Sequence, residues 1–293
     1  MQSSSNQQLY ILFTVGVPGL GKSYLVGKLV AYLESLPDHA ASICTSDEVR
    51  SKVLADYYQA NSIDLNKLSQ EDIYKIETER ANEIRSKLFE AIDAKLGALL
   101  KTGKKNCVFI LDKNYCSNQL VSYVDESAQK VFPGWNIHHG VFVPETFKEG
   151  DDRFVYPFNM DTILIGLERS LTRKQHLTMK YGSVHSLLSF ISCLQSQLKD
   201  SFDQKFPPQT YKRVVVDYYD REVLAKGKKE EKYKEDLGKL EQIVRDLVGK
   251  KREIPEACDE LVEVIKNLEP LNAFANLDSS ALVKLAERIK LSV

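Results

Sequence analysis

Eight residues, GVPGLGKS (Gly16 to Ser23), stand between the apolar run LYILFTV and a stretch whose apolar side chains recur at helical spacing. A short apolar, partly β-branched run that ends at glycines reads as a buried strand, here Tyr10 to Val15. Behind the glycines, Tyr24, Leu25, Val26, Leu29, Val30, Tyr32 and Leu33 mark a helix that Pro37 would end. Strand, glycine-rich turn and helix, in that order, form the opening unit of an α/β sheet.

The rest of the chain repeats the alternation. Strands are expected at Ala41 to Cys44, Cys107 to Leu111 (CVFIL), Ile137 to Val143 and Tyr211 to Tyr219 (YKRVVVDYY). Helical patterns fall at Asp47 to Gln59, Gln119 to Lys130, Asp161 to Lys180 and Val184 to Phe202. Ser69 with Asp72 three positions later reads as a capping box. It would open one long helix striped by Ile73, Ile76, Ile84, Leu88, Ile92, Leu96 and Leu99. Strands alternating with helices imply a mostly parallel sheet covered on both faces.

After the last strand the composition shifts to charge of both signs with sparse apolar positions. A boundary is therefore expected near Arg221, with 1–221 as one α/β domain and 222–293 as a helical appendage. The net charge of -1 supplies no global pull toward nucleic acid or a membrane, so any polyanion site must be local. The five cysteines are scattered, with no CxxC pair or Cys/His cluster, which argues against structural zinc. Cys44 and Cys107 sit in or beside apolar strand-like runs and read as reduced core thiols. A reducing, intracellular setting is the expectation, nucleus and cytoplasm both standing. The polar start MQSSSNQQ and the lack of a membrane-length apolar run predict a soluble chain.

Gly16-x-x-x-x-Gly21-Lys22-Ser23 fits the P-loop pattern at every fixed position. In such a loop the backbone N–H groups turn inward around a β-phosphate where side chains would collide, and the following helix N-terminus adds partial positive charge. Lys22 would bridge the β- and γ-phosphates, and Ser23 would ligate Mg²⁺. The candidate nucleotide-binding set is Gly16, Pro18, Gly19, Gly21, Lys22, Ser23 and Tyr24.

The destination of the phosphate is read from other stretches. No base-reading NKxD motif is present, and CVFILD ends in one acid, Asp112, followed by Lys113 and Asn114. A kinase needs a base beside the acceptor hydroxyl and arginines around the transferring group. The second strand ends in TSDEVR, where Asp47 could take the proton and Arg50, one turn later, could grip an acceptor phosphate. Spacing alone equally allows Ser46 or Asp47 to cap a helix, with Arg50 on its solvated face. Arg169 and Arg173 share a helical face at i,i+4 and would suit a lid that closes over a γ-phosphoryl group. Such pairs are also common as solvated charge.

Taken together, GxPGxGKS and the Asp-x-x-Arg after the second strand resemble the polynucleotide 5′-hydroxyl kinases, such as the bacteriophage enzyme and the kinase module of RNA-repair enzymes. ILDKNYCSN, Ile110 to Asn118, is similar to the Asp-Lys-Asn stretch in the kinase domain of plant and fungal tRNA ligases. YPFNMDTILIGLERSLTRKQH, Tyr156 to His176, is similar to the plant type's Pro-Phe-x-x-Asp segment, in which two arginines four apart precede a histidine. The resemblance spans roughly Tyr10 to Tyr219 and is sharp only in those four stretches.

It implies a P-loop NTPase-type fold with a helical lid at about 159–180, and transfer of an NTP γ-phosphate to the 5′-hydroxyl end of RNA. Asp47 would be the general base, Arg50 the ligand of the acceptor phosphate, and Arg169 and Arg173 the lid arginines. Asp112 would lie beside the metal or the acceptor, with Lys113 and Asn114 on the acceptor side. The implied partners are RNA with a 5′-hydroxyl end, tRNA exon halves among them, and RNA ligase modules of the same pathway. Fungal members favour GTP, so ATP and GTP both stand as donors. The plant pattern has proline and asparagine soon after Asp-Lys-Asn, whereas Tyr115, Cys116 and Ser117 intervene here before Asn118. No Lys-x-Asp-Gly motif and only one His-x-Thr match, His176 to Thr178, occur, so neither sister activity of those ligases is read here.

Two rival readings share the loop: a kinase for a small metabolite or nucleotide, and an NTP-binding interaction module without transfer. Tyr57 and Tyr58 would either stack a terminal base or pack in the core. His138 and His139 have no acidic residue near them in sequence and read as structural or surface groups. The lysine-rich run Lys226 to Lys234 reads as a solvated helix with i,i+4 pairs rather than an RNA-binding patch.

Overall fold

The hydrophobic run at the start of the chain forms the central strand, β1 (Gln8–Thr14), buried along nearly its whole length. The computed structural model describes residues 7–64, 67–144, 160–172, 190–196, 202–216, 231–249 and 278–289, and four single positions between 251 and 264. Around β1 lies a five-stranded sheet in the order β2-β3-β1-β4-β5, with β2 at His39–Thr45, β3 at Asn106–Asp112, β4 at Asn136–Pro144 and β5 at Tyr211–Val216. Every adjacent pair is parallel. The register sets Thr14 at the same end of the sheet as Asp112 and Thr45, so the loops that follow β1, β2 and β3 converge on one edge.

Side-chain alternation divides the core in two. Leu9, Ile11 and Phe13 of β1 join Cys107, Phe109 and Leu111 of β3 on one face. Tyr10 and Leu12 join Val108 and Ile110 on the other. Because both faces are buried, the strands read as unbroken apolar runs rather than alternating ones. The first face is covered by α4 (Ala81–Lys101), α5 (Asn118–Val131) and most of the buried side chains of α6 (Met160–Thr172). The second is covered by α1 (Lys22–Glu34), through Leu25, Val26, Leu29 and Leu33.

A short helix, α7 (Phe202–Lys205), precedes β5. Two later helices, α8 (Glu231–Val248) and α9 (Ser279–Ile289), belong to the segment expected as a helical appendage. Leu240, Ile243, Val244 and Leu247 of α8 enter the first core, and Leu285, Ala286 and Ile289 of α9 enter the second. Arg288 also donates to the Val215 carbonyl at 3.0 Å. Most of the lysine-rich run lies outside the described residues, but α8 carries the i,i+4 pairs Glu235–Lys239 and Glu241–Arg245.

One expected element divides. The long helix after Ser69 is two helices, α3 (Gln70–Glu79) and α4, meeting at Arg80, whose φ of -91° and ψ of 2° leave the helical region. The capping box forms, with Asp72 N–H donating to Ser69 Oγ and Ser69 N–H to Asp72 Oδ2. No proline or glycine marks the break. Arg80 instead lays its guanidinium 4.0 Å from the centre of the Tyr57 ring and donates to Glu83 at 3.2 Å. Those contacts come from α2 (Ser46–Ala60) and from the next turn, and helical periodicity does not register them.

The two histidines take structural places, and one of them has an acidic partner that local sequence did not show. His139 Nε2 lies 3.0 Å from Asp125 Oδ1, and Tyr211 donates to Asp125 Oδ2 at 2.8 Å. This network ties α5 to β4 and β5. His138 stacks on Tyr10 and meets Gln8 at 2.6 Å. The acidic partner came from a helix fourteen positions earlier, beyond the reach of local sequence. Among the described residues no helix is long and apolar enough to cross a membrane.

Candidate functional site

The loop from Gly16 to Gly21 is held in a shape that side chains would prevent. Gly16, Gly19 and Gly21 have φ of 142°, 84° and 92°. A Cβ on Gly19 would stand 2.2 Å from the Gly166 carbonyl oxygen and 2.7 Å from Ser170 Oγ, so α6 is seated directly on the loop. Gly21 is the N-cap of α1, placing that helix's free N–H groups at the loop. Lys22, 4 % exposed, turns back and donates to the carbonyls of Gly16 at 3.1 Å and Val17 at 2.7 Å. Its ammonium therefore sits over the loop backbone. Pro18 is buried, while Ser23 and Tyr24 are exposed on the first turn of α1.

Beside the loop, the ends of β1 and β3 are tied by a residue the sequence reading passed over. The Thr14 hydroxyl donates to Asp112 Oδ1 at 3.0 Å and accepts from the Lys113 N–H at 3.0 Å. Thr14 is fully buried and Asp112 is 5 % exposed. The signal was present: Thr14 is the one hydroxyl-bearing aliphatic position in LYILFTV. It fixes the carboxylate of Asp112 at the loop edge. Among the described residues no group of three or more His, Cys, Asp or Glu side chains could hold a metal ion. A divalent cation here would rely on hard oxygens from Ser23 and Asp112, completed by phosphate and water. That is the donor set Mg²⁺ accepts.

Across the edge, α2 starts at Ser46 with Thr45 as its N-cap, and no side chain caps it. The N-cap is thus Thr45 rather than Ser46 or Asp47. Asp47 lies in the first turn, with Arg50 Nη1 3.9 Å from its Oδ1. Both face a cleft of about 600 Å³ that is also lined by Pro18, Lys113 and Asn114. Five of the predicted residues, from the glycine-rich loop, the start of α2 and the end of β3, thus meet around one space.

Chain comparison adds no relative. No family model matches the chain, and no curated protein matches it. What the site can do must therefore be argued from its own groups.

From α6, Arg169 is buried and its Nη1 approaches the Leu20 carbonyl at 3.4 Å, so this arginine does reach the loop. Arg173 and His176 lie outside the described residues. Tyr57 and Tyr58 do not line the cleft: Tyr58 is buried, and Tyr57 lies beneath Arg80. The aromatic groups at the cleft are Tyr74, Phe89 and Tyr115 instead. Glu77 lines it too, its carboxyl raised above the usual range by burial, with the Arg50 charge opposing and Asp47 adding. Sequence spacing could not have found these, because α3 and α4 fold back onto α2 only in three dimensions.

Two thiols near the site are poor nucleophiles. Burial pushes Cys193 up to about 11 and Cys116 up to about 12, although Lys113 pulls both down and Lys22 also acts on Cys193. At neutral pH both are thiols, the unreactive form. Buried Cys44 and Cys107 are likewise free thiols.

Lys113 shows the electrostatic cost of the cleft. Burial depresses its pKa, Arg50 lowers it further, and Asp47 opposes. The folded value lies below the unfolded one, so the unfolded chain binds more protons in the window between them, and stability rises with pH there. Lys113→Met should therefore raise the urea midpoint at pH 7. Its advantage over the wild type should shrink as pH climbs through the depressed folded value toward 10.5. Equal midpoints at pH 7 would show that the buried ammonium costs nothing.

Proposed function

We propose that this chain is a P-loop phosphotransferase that moves the γ-phosphate of ATP or GTP onto the 5′-hydroxyl of an RNA end, as in RNA repair or tRNA splicing. The observation that carries the reading is the convergence of Asp47, Arg50, Lys113 and Asn114 on one cleft that Pro18 of the glycine-rich loop also lines. The parallel order β2-β3-β1-β4-β5, with that loop between β1 and α1, supports the P-loop assignment.

In this mechanism the loop amides, Lys22 and the α1 N-terminus hold the β- and γ-phosphates. Donor binding requires Lys22 to exchange the Gly16 and Val17 carbonyls for phosphate oxygens. Ser23 and Asp112 would hold Mg²⁺, which when bound would supply neutralisation of phosphate charge. Arg50 orients the acceptor through a phosphate, and Asp47 accepts the proton of the attacking hydroxyl. A bond forms between the 5′-oxygen and the γ-phosphorus, the bond from that phosphorus to the β,γ-bridging oxygen breaks, and the nucleoside diphosphate leaves. Arg169, with Arg173 of the same stretch, neutralises charge on the transferring group.

The test offers γ-labelled ATP and GTP together with 5′-hydroxyl RNA, 5′-hydroxyl DNA, free nucleosides and small alcohols. Label on the RNA 5′ end is the expected result. Label only on a free small molecule would make the chain a metabolite kinase. Nucleotide binding without transfer to any acceptor would make it a binding module.

A further inference from the structure

The β1–β3 ladder ends where Phe13 stands opposite Leu111. One residue further on, a side chain takes over from the backbone. The Thr14 hydroxyl accepts from the Lys113 N–H at 3.0 Å and donates to Asp112 Oδ1 at 3.0 Å. Thr14 is the last residue of β1, two positions before Gly16 of the glycine-rich loop. Lys113 and Asn114 line the cleft together with Asp47 and Arg50. The hydroxyl thus stands between the loop and a wall of the cleft. In the neighbouring ladder Asp112 is paired with Thr45, the N-cap of α2.

Strand packing does not call for a threonine here. Valine has the same shape, and an apolar strand buries it with no hydroxyl to satisfy. The one hydroxyl proton has three acceptors within reach: Asp112 Oδ1 at 3.0 Å, the Lys113 carbonyl at 3.3 Å and the Leu111 carbonyl at 3.5 Å. The nearest of them is also the charged one, and charge strengthens the bond. When the Asp112 carboxylate turns to a bound donor and its cation, the hydroxyl can rotate to the Lys113 carbonyl, so no buried donor is stranded. The main chain of Lys113 is then held at both its N–H and its C=O. We propose that Thr14 is a positioning residue that couples the two halves of the site: a donor bound at the loop firms the Lys113–Asn114 wall for the acceptor through this hydroxyl. The inference rests on the phosphotransferase reading above and extends it, from two ligands held side by side to two that assist each other's binding.

The full chain is titrated, with Mg²⁺ present, with a 5′-hydroxyl oligoribonucleotide carrying a 3′ fluorophore. Anisotropy gives its affinity with and without a saturating β,γ-imido analogue of ATP or GTP. The ratio of the two affinities is the coupling factor, and the reciprocal titration must return the same value. Wild type should give a factor of about 10, inside the ordinary range for linked sites. Thr14→Val keeps the shape, removes the hydroxyl and should bring the factor down to about 1. Thr14→Ser keeps the hydroxyl and should restore it. Melting curves confirm the fold of each variant. Amide exchange gives a second reading on wild type alone: the donor analogue, without RNA, should slow exchange at Lys113 about tenfold.

A factor unchanged in Thr14→Val, or lost as fully in Thr14→Ser, would overturn the coupling while leaving the kinase assignment standing. So would a wild type that labels RNA yet shows no coupling and no donor effect at Lys113. Coupled binding that responds to the variants without any transfer would keep the role of Thr14 and overturn the kinase. A wild type that fails to bind one or other ligand would overturn both.

Discussion

Asp47→Asn should cut turnover by about 10²–10⁴-fold, the range a positioned general base supplies, and leave nucleotide affinity unchanged. Asparagine keeps the size and the polar contact with Arg50 but cannot take the hydroxyl proton. The expectation follows from where Asp47 stands. It occupies the first turn of α2, after the Thr45 N-cap, and lines the cleft that Pro18 of the glycine-rich loop also lines. Its pairing with Arg50 is a partly exposed i,i+3 contact at 3.9 Å, a geometry worth little to stability. Melting curves on both proteins keep any change in stability apart from the loss of turnover. Single-turnover measurement with bound donor separates this chemistry from binding. Turnover within a few-fold of wild type would remove Asp47 from the role of base and return it to a helix-terminal charge.

How far the sequence led depends on the reach of each signal. The five strands were legible because a parallel sheet buried on both faces imposes apolar runs such as CVFIL, and glycine, proline or polar positions close them. The loop was legible because only glycine tolerates its backbone. The Ser69–Asp72 box, a contact within three residues, was legible for the same local reason. The break at Arg80 was not, since its cause is the Tyr57 ring on another helix. Asp125 beside His139 and Thr14 beside Asp112 depend on strand register, which a single sequence leaves open. Asp47, Arg50, Lys113 and Asn114, which line the cleft, stand in stretches the sequence singles out, but Tyr74, Glu77 and Arg85, which line it too, carry no motif at all.

The contact between α6 and the loop yields the second large effect. Gly166→Ala looks favourable in isolation, since alanine stabilises a helix interior by about 1 kcal/mol over glycine. Here the added Cβ would stand 2.5 Å from Val17 Cγ2 and 2.7 Å from the Pro18 carbonyl oxygen. The backbone atom cannot rotate away, so α6 or the loop must move. Overpacking of this kind costs about 1–3 kcal/mol, and the melting temperature should fall by several degrees. The functional loss should be larger. Moving α6 withdraws Arg169 from the Leu20 carbonyl and distorts the loop that Lys22 braces. A misplacement of about 1 Å costs roughly 10²-fold in turnover where geometry carries the rate, and nucleotide affinity should drop with it. Gly97→Ala in α4 is the control: nothing lies within 4 Å of its new Cβ, and it should stabilise by about 0.4–1 kcal/mol with activity intact. If Gly166→Ala behaved like Gly97→Ala in melting, nucleotide titration and turnover, α6 would not be seated on the loop in solution. The close approach of two glycines, one from each element, would then have no part in shaping the site.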